Sequence, residues 1–153
     1  MEVRIERVAP RRVAFTRHVG PYSEVGTAWG KLMSWAGRQG LLRSRPTILG
    51  IVHDDPEVTP PEKIRYDACL VVDGAVRAEG EIGVQEIGGG EFAVTTHRGP
   101  YEELSKTYAR LLGQGLPTSG REPRSSPAFE IYRNSPTDTA PADLVTDIHL
   151  PLA

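Results

Sequence analysis

The chain has 153 residues, with 18 lysines and arginines against 20 aspartates and glutamates and a formal net charge of -2 at pH 7. That length suits one compact domain spanning 1–153, and 39% hydrophobic with 25% charged residues is the composition of a folded chain rather than a disordered one. The near-balance of charge leaves no broad cationic face, which excludes direct nucleic-acid binding and attachment to anionic lipid.

Met1-Glu2-Val3-Arg4-Ile5-Glu6 alternates charged and aliphatic residues where a signal peptide needs an unbroken apolar run, and no stretch reaches the ~18 apolar residues of a membrane span. The expectation is a cytoplasmic protein. Val3 and Ile5, then Val13 and Phe15, show the alternation of two short strands, and Ala9-Pro10-Arg11 between them predicts a hairpin. Gly20-Pro21 then breaks the chain and presets a helical φ, with Glu24 near the positive end of the helix that follows. Along that helix Val25, Ala28, Trp29, Leu32, Met33 and Ala36 recur at three- and four-residue spacing, up to a stop near Gly37–Gly40. Two β-rich segments, Thr47–Val52 and Ile64–Val72, flank a Pro-rich loop. Cys69, in the second of them, is the single cysteine. It forms no internal disulfide, belongs to no Cys-rich zinc framework and reads as a small buried hydrophobe.

After the polar connector Asp73–Ala78 the plan begins again. Ala14-Phe15-Thr16-Arg17-His18-Val19-Gly20-Pro21-Tyr22-Ser23-Glu24 returns as Ala93-Val94-Thr95-Thr96-His97-Arg98-Gly99-Pro100-Tyr101-Glu102-Glu103. Farther on, Ile51, Pro56, Thr59, Pro61 and Asp67 align with Ile131, Pro136, Thr139, Pro141 and Asp147. Ile82 and Val84, then Phe92 and Val94, predict a second hairpin around Gly88-Gly89-Gly90. Leu104, Tyr108, Leu111 and Leu112 predict a second helix ending near Gly113–Gly115, and Ala128–Arg133 and Leu144–Leu152 predict the last strands. The fold class is therefore α+β, with β-β-α-β-β halves at 1–74 and 79–153.

The Gly-Pro-Tyr pair, Ile64-Arg65-Tyr66-Asp67, Pro127-Ala128-Phe129-Glu130-Ile131-Tyr132 and Asp147-Ile148-His149-Leu150-Pro151-Leu152 together resemble the GyrI-like family, also found as the effector-binding domain of AraC-type and MerR-type regulators. The resemblance covers nearly the whole chain. It implies a pseudo-two-fold fold of the SHS2 type, with a ligand cleft between the halves lined by aromatics and centred on a glutamate that meets cationic or polar ligands. With no helix-turn-helix pattern before Val3 or after Leu152, the resemblance is to the free-standing members, which do not read an operator themselves. It also implies an aromatic residue near the end of the second helix and a tyrosine late in the last strand, where this chain has Gly115 and His149.

Glu130, between Phe129 and Ile131 in an apolar strand, has to be paired, protonated or held for a cation. By residues alone, a surface ion pair with an arginine is an equal reading; the resemblance favours the cleft. Alternation places Tyr132 on the same face as Glu130, and the repeat counterpart of Glu130 is Gly50. Trp29 and Tyr108 occupy equivalent helix positions and, with Trp35, form either an aromatic cage or ordinary core. Tyr66 needs a partner for its hydroxyl, which Glu130 offers. The candidate ligand-binding set is thus Glu130, Tyr66, Tyr108, Trp29, Trp35, Tyr132 and Phe129, with no metal and no cofactor. His18 and His97 each precede a Gly-Pro-Tyr turn and read as braces for it rather than zinc ligands. Tyr22 and Tyr101 read as turn packing, and Asp54-Asp55 as a solvated loop.

Two functions follow. The first is binding of a small cationic, aromatic or polar molecule, for xenobiotic sequestration or to alter a protein partner such as gyrase or a regulator. The second, which the resemblance also implies, is cofactor-independent hydrolysis of electrophilic cyclopropane-containing toxins. There Glu130 orients or deprotonates water, and Tyr66 or Tyr108 polarises the substrate.

Overall fold

The computed structural model describes all 153 residues. Strands β1 (Arg4–Val8) and β2 (Arg11–Val19) precede helix α1 (Gly26–Arg38), then β3 (Ile48–Val52) and β4 (Arg65–Val71). The order returns as β5 (Gly83–Ile87), β6 (Gly90–Arg98), helix α2 (Leu104–Arg110), a π-type turn at Leu111–Gly115, α3 (Leu116–Ser119), β7 (Ala128–Tyr132) and β8 (Val145–Pro151). The duplicated β-β-α-β-β plan read from the repeat is the plan of the chain. No helix is long and apolar enough to cross a membrane.

The predicted hairpins do not form. β1 pairs antiparallel with β6, Ile5 opposite Ala93, while β2 pairs with β5, Val13 opposite Gln85. The link between β1 and β2 explains why. A two-residue hairpin loop needs a positive φ at its first position, which glycine or asparagine adopts and alanine does not. Ala9-Pro10 therefore releases β1 from β2. Once β1 occupies the edge of β6, the equivalent edge of β2 takes β5. Two compact units result, Pro10–Gly88 and Met1–Ala9 with Gly89–Ala153, so the spatial units differ from the sequence halves at 1–74 and 79–153 by exchange of their first strands.

In the unit Pro10–Gly88 the antiparallel order is β3-β4-β2-β5, with α1 packed on β2 and β4. The buried stripe of α1 is Ala28, Leu32, Trp35 and Ala36, an i, i+4, i+7, i+8 pattern. Trp35, which the sequence left between an aromatic cage and ordinary core, thus takes a core place, and Met33 is only partly buried. Truncating the fully buried Leu32 to alanine removes about 2–5 kcal/mol. The central strand β4 is buried on both faces from Tyr66 to Leu70, Asp67 included, which accounts for the burial expected of Cys69.

In the other unit the order is β1-β6-β8-β7. Its helical segment runs past Gly113–Gly115, where the sequence predicted a stop, to Gly120, whose left-handed φ of 73° ends it. Pro117 has no N–H for the carbonyl of Gly113, and the chain absorbs the missing bond as a π-type turn instead of stopping. In both units a positive-φ glycine opens the Gly-Pro-Tyr turn and ties it to the sheet. Gly20 (φ 140°) donates to the Ile64 carbonyl at 2.7 Å, and Gly99 (φ 125°) to Leu144 at 2.9 Å.

Candidate functional site

Glu130 lies in the middle of β7 and is 5% exposed. On its face β8 sets Ile148 directly opposite and Thr146 one step along, while β6 contributes Thr95 and His97. The Tyr108 hydroxyl, from α2, donates to Oε2 of Glu130 at 2.7 Å, and the Tyr132 hydroxyl donates to Oε1 at 2.8 Å. The surface ion pair that the sequence left open does not form: this acid is buried and held by two phenols. Burial pushes its carboxyl above the ordinary 4.5, the two hydroxyls and nearby His97 pull it down, and burial prevails.

Tyr101, read from sequence as turn packing, belongs to the same surroundings. Its ring lies edge-on to Tyr132, with centroids 5.5 Å apart, and its phenol is pushed up by burial and by the charge of Glu130. The turn explains its position, since Gly99-Pro100 delivers Tyr101 directly after β6. His97 braces that turn as expected. Its Nε2 lies 3.1 Å from the Pro100 carbonyl, which only accepts, so Nε2 carries the proton and Nδ1 faces the Thr107 hydroxyl at 2.6 Å. His18 makes the equivalent bond to Pro21 at 3.0 Å.

Phe129, adjacent to Glu130 in sequence, points to the opposite face of the sheet. It stacks on His149 with centroids 4.5 Å apart and meets Phe92 at 5.2 Å. Tyr66 and Trp29 lie in the other unit, where the Trp29 indole N–H donates to the Tyr66 oxygen at 3.2 Å and Tyr22 packs edge-on against the same ring. Trp35 is 4% exposed in that unit's core, and its indole N–H points to Glu79 at 3.4 Å. Within the unit that holds β7, Glu130 is bonded to Tyr108 and Tyr132, with Phe129 on the opposite face of the sheet. Within the unit Pro10–Gly88, Trp29 is bonded to Tyr66, and Trp35 shares their core cluster.

Residues 1–153, the whole chain, match the family described as the GyrI-like small molecule binding domain. The protein belongs to the GyrI-like family. Its relatives include the probable transcriptional regulator YgiV of Escherichia coli (strain K12), 32% identical over 126 residues that cover 80% of this chain and 78% of that one. The DNA gyrase inhibitor of the same strain is 29% identical over 140 residues, covering 88% and 87%. Among solved structures, the EcmrR C-terminal domain matches with a TM-score of 0.78 at 20% identity, over 99% of this chain and 97% of that one. A hydrolase encoded by lin2189 from Listeria innocua matches with a TM-score of 0.73 at 15% identity, over 99% and 92%. At these identities the structural likenesses show the fold.

Two positions where this GyrI-like chain lacks the implied aromatics now have a local explanation. A Cβ at Gly115 would lie 2.8 Å from Val3 and 3.0 Å from Met1, so the N-terminal segment fills the space an aromatic would need. His149 sits in the Phe92–Phe129 stack on the face away from Glu130.

A charged cluster on the other unit escaped sequence reading. Asp67 is fully buried and accepts from Arg17 Nε at 2.8 Å and Nη2 at 3.0 Å, from His53 Nε2 at 2.8 Å and from Gln85 at 3.0 Å. Burial alone would raise its carboxyl, but the three donors hold it well below the usual carboxylate range. The alignment of Asp67 with Asp147 was the available signal; partners scattered from Arg17 to Gln85 hid the rest. Asp54 also departs from its reading as solvated loop. Arg65 grips it through Nε at 3.0 Å and Nη2 at 2.9 Å, and the guanidinium bonds lower its carboxyl to about 2.

Proposed function

We propose that this GyrI-like protein binds a small organic cation carrying aromatic surface, with Glu130 as the counter-charge and Tyr101, Tyr108 and Tyr132 as the surrounding wall. The observation that supports this most directly is the state of Glu130, a carboxylate withdrawn from water whose bonding partners are two phenol hydroxyls. Such an acid is costly to ionise and gains most from a weakly hydrated cation, which also interacts with tyrosine faces. Sequestration of foreign cations is the role this chemistry suits.

A second reading rests on the 2.7 Å bond between the Tyr108 hydroxyl and Glu130. A phenol beside a carboxylate of raised proton affinity is a usable acid–base pair for hydrolysis of an electrophile. One experiment tests both readings. Thermal shifts with lipophilic cations, planar antibiotics and electrophilic toxins are measured on wild type and Glu130→Gln, with mass spectrometry of each compound afterwards. Stabilisation by cations that weakens at least tenfold in apparent affinity in the variant, with the compound recovered intact, supports the receptor. A water adduct formed only by wild type supports the hydrolase, and equal shifts in the two proteins refute a site at Glu130.

A further inference from the structure

Two buried side-chain atoms of the protein have no hydrogen-bond partner, the hydroxyls of Thr16 and Thr146. Thr16 lies beside Ala68 in the unit Pro10–Gly88. Thr146 is different, because its lateral neighbours are His97 on β6 and Tyr132 on β7, which places it on the face of Glu130. It is fully buried. Valine has the same shape and no polar atom, so a threonine there carries the desolvation of a hydroxyl that no protein group offsets. The repeat sharpens the contrast. Aligning Asp67 with Asp147 makes Tyr66 the counterpart of Thr146, as Gly50 is of Glu130, so this unit combines an added acid with a shortened neighbour.

We propose that Thr146 is a specificity-determining residue of the Glu130 site, its hydroxyl reserved for a hydrogen-bonding group of the bound cation. This inference rests on the reading of Glu130 given above. Glu130 stands opposite Ile148, which makes Thr146 its diagonal neighbour across the β7–β8 pair, about 7 Å away between β-carbons. A ligand that places its charge at Glu130 and a hydroxyl, amine or carbonyl several ångströms away engages both. Tyr132, a partly exposed ring beside Thr146 across the β7–β8 pair, is held by the hydroxyl bond to Glu130 that an entering cation replaces. The site thus selects polar aromatic cations over purely hydrocarbon ones.

The test is a two-by-two comparison of wild type and Thr146→Val with phenyltrimethylammonium and its 3-hydroxy analogue, by calorimetric titration. The expected result is a loss of affinity of about twofold to twelvefold in the variant for the hydroxylated probe alone, the range for one neutral hydrogen bond. The Tm of the empty variant is expected to hold or rise, because an unsatisfied hydroxyl has been removed. Equal losses for both probes, no loss for either, or a fall in Tm that tracks the affinity loss would overturn the role of Thr146 and leave Glu130 as the counter-charge. If neither probe binds wild type, the cation reading of Glu130 fails and this inference fails with it.

Discussion

Replacing Tyr108 with phenylalanine removes one hydroxyl and leaves the ring, so its effect reports on the bond to Glu130 at 2.7 Å. To an ionised acid such a bond contributes roughly 1.5–3 kcal/mol, and to a neutral acid roughly 0.5–1.5 kcal/mol. The carboxyl of Glu130 has a folded pKa raised above its ordinary 4.5, chiefly by burial. A raised acid contributes stability below its unfolded pKa and loses that contribution as pH rises through its folded value. Losing the phenol raises the folded value further, so the variant suffers more at high pH. The expected cost is about 2 kcal/mol at pH 8 and about 1 kcal/mol near pH 4.5, or about 4–8 °C and 2–4 °C in Tm for a chain of this size. The assay is thermal and urea unfolding at both pH values, in wild-type and Glu130→Gln backgrounds, so that the double-mutant cycle isolates the pair. A Tm loss equal at the two pH values, or a pH dependence that persists in the Gln background, refutes the assignment of Glu130 as a buried, titrating acid.

Other expectations follow from the same contacts. Glu130→Gln alone should be more stable than wild type at pH 8, with the difference shrinking toward pH 4.5 as the wild-type acid takes up its proton; circular-dichroism melts across that range check the sign. Asp67→Ala should cost about 1.5–3 kcal/mol, because it removes the charge-assisted bonds from Arg17 and His53 and leaves a buried hole, while the partly exposed Arg17 rehydrates. As the carboxyl of Asp67 is depressed in the folded state, its contribution is complete above the unfolded value of 3.8 and lost as pH falls below it, so the variant's deficit in urea unfolding should shrink in acid. Gly115→Phe should destabilise by about 1–3 kcal/mol through collision with Val3 and Met1, and deleting Met1 and Glu2 in that background should recover part of the lost Tm.

Much of the fold was legible because its signals are local. Period-two and period-3.6 patterns, Gly-Pro breaks and the duplicated His-x-Gly-Pro-Tyr run located every strand and both helical segments, and side-chain alternation put Tyr132 with Glu130. The second helix overran its predicted stop because Pro117 was absorbed by a π-type turn, and two flexible glycines within a helix do not by themselves end it. Trp35 entered the core because four aligned positions on α1 outweigh what any one residue suggests.

Partner choice belongs to a different level. By itself the sequence determined the repeat, the element order and the presence of one acid in an apolar strand, since each depends on neighbours a few residues apart. Only the tertiary structure decided that β1 pairs with β6, that Tyr108 and Tyr132 rather than an arginine meet Glu130, and that Asp67 gathers Arg17, His53 and Gln85. The physical reason is degeneracy. An apolar strand carries the same pattern whichever edge it joins, and a buried carboxylate accepts any well-placed donor, so the choice falls to whichever elements the chain brings within hydrogen-bonding reach.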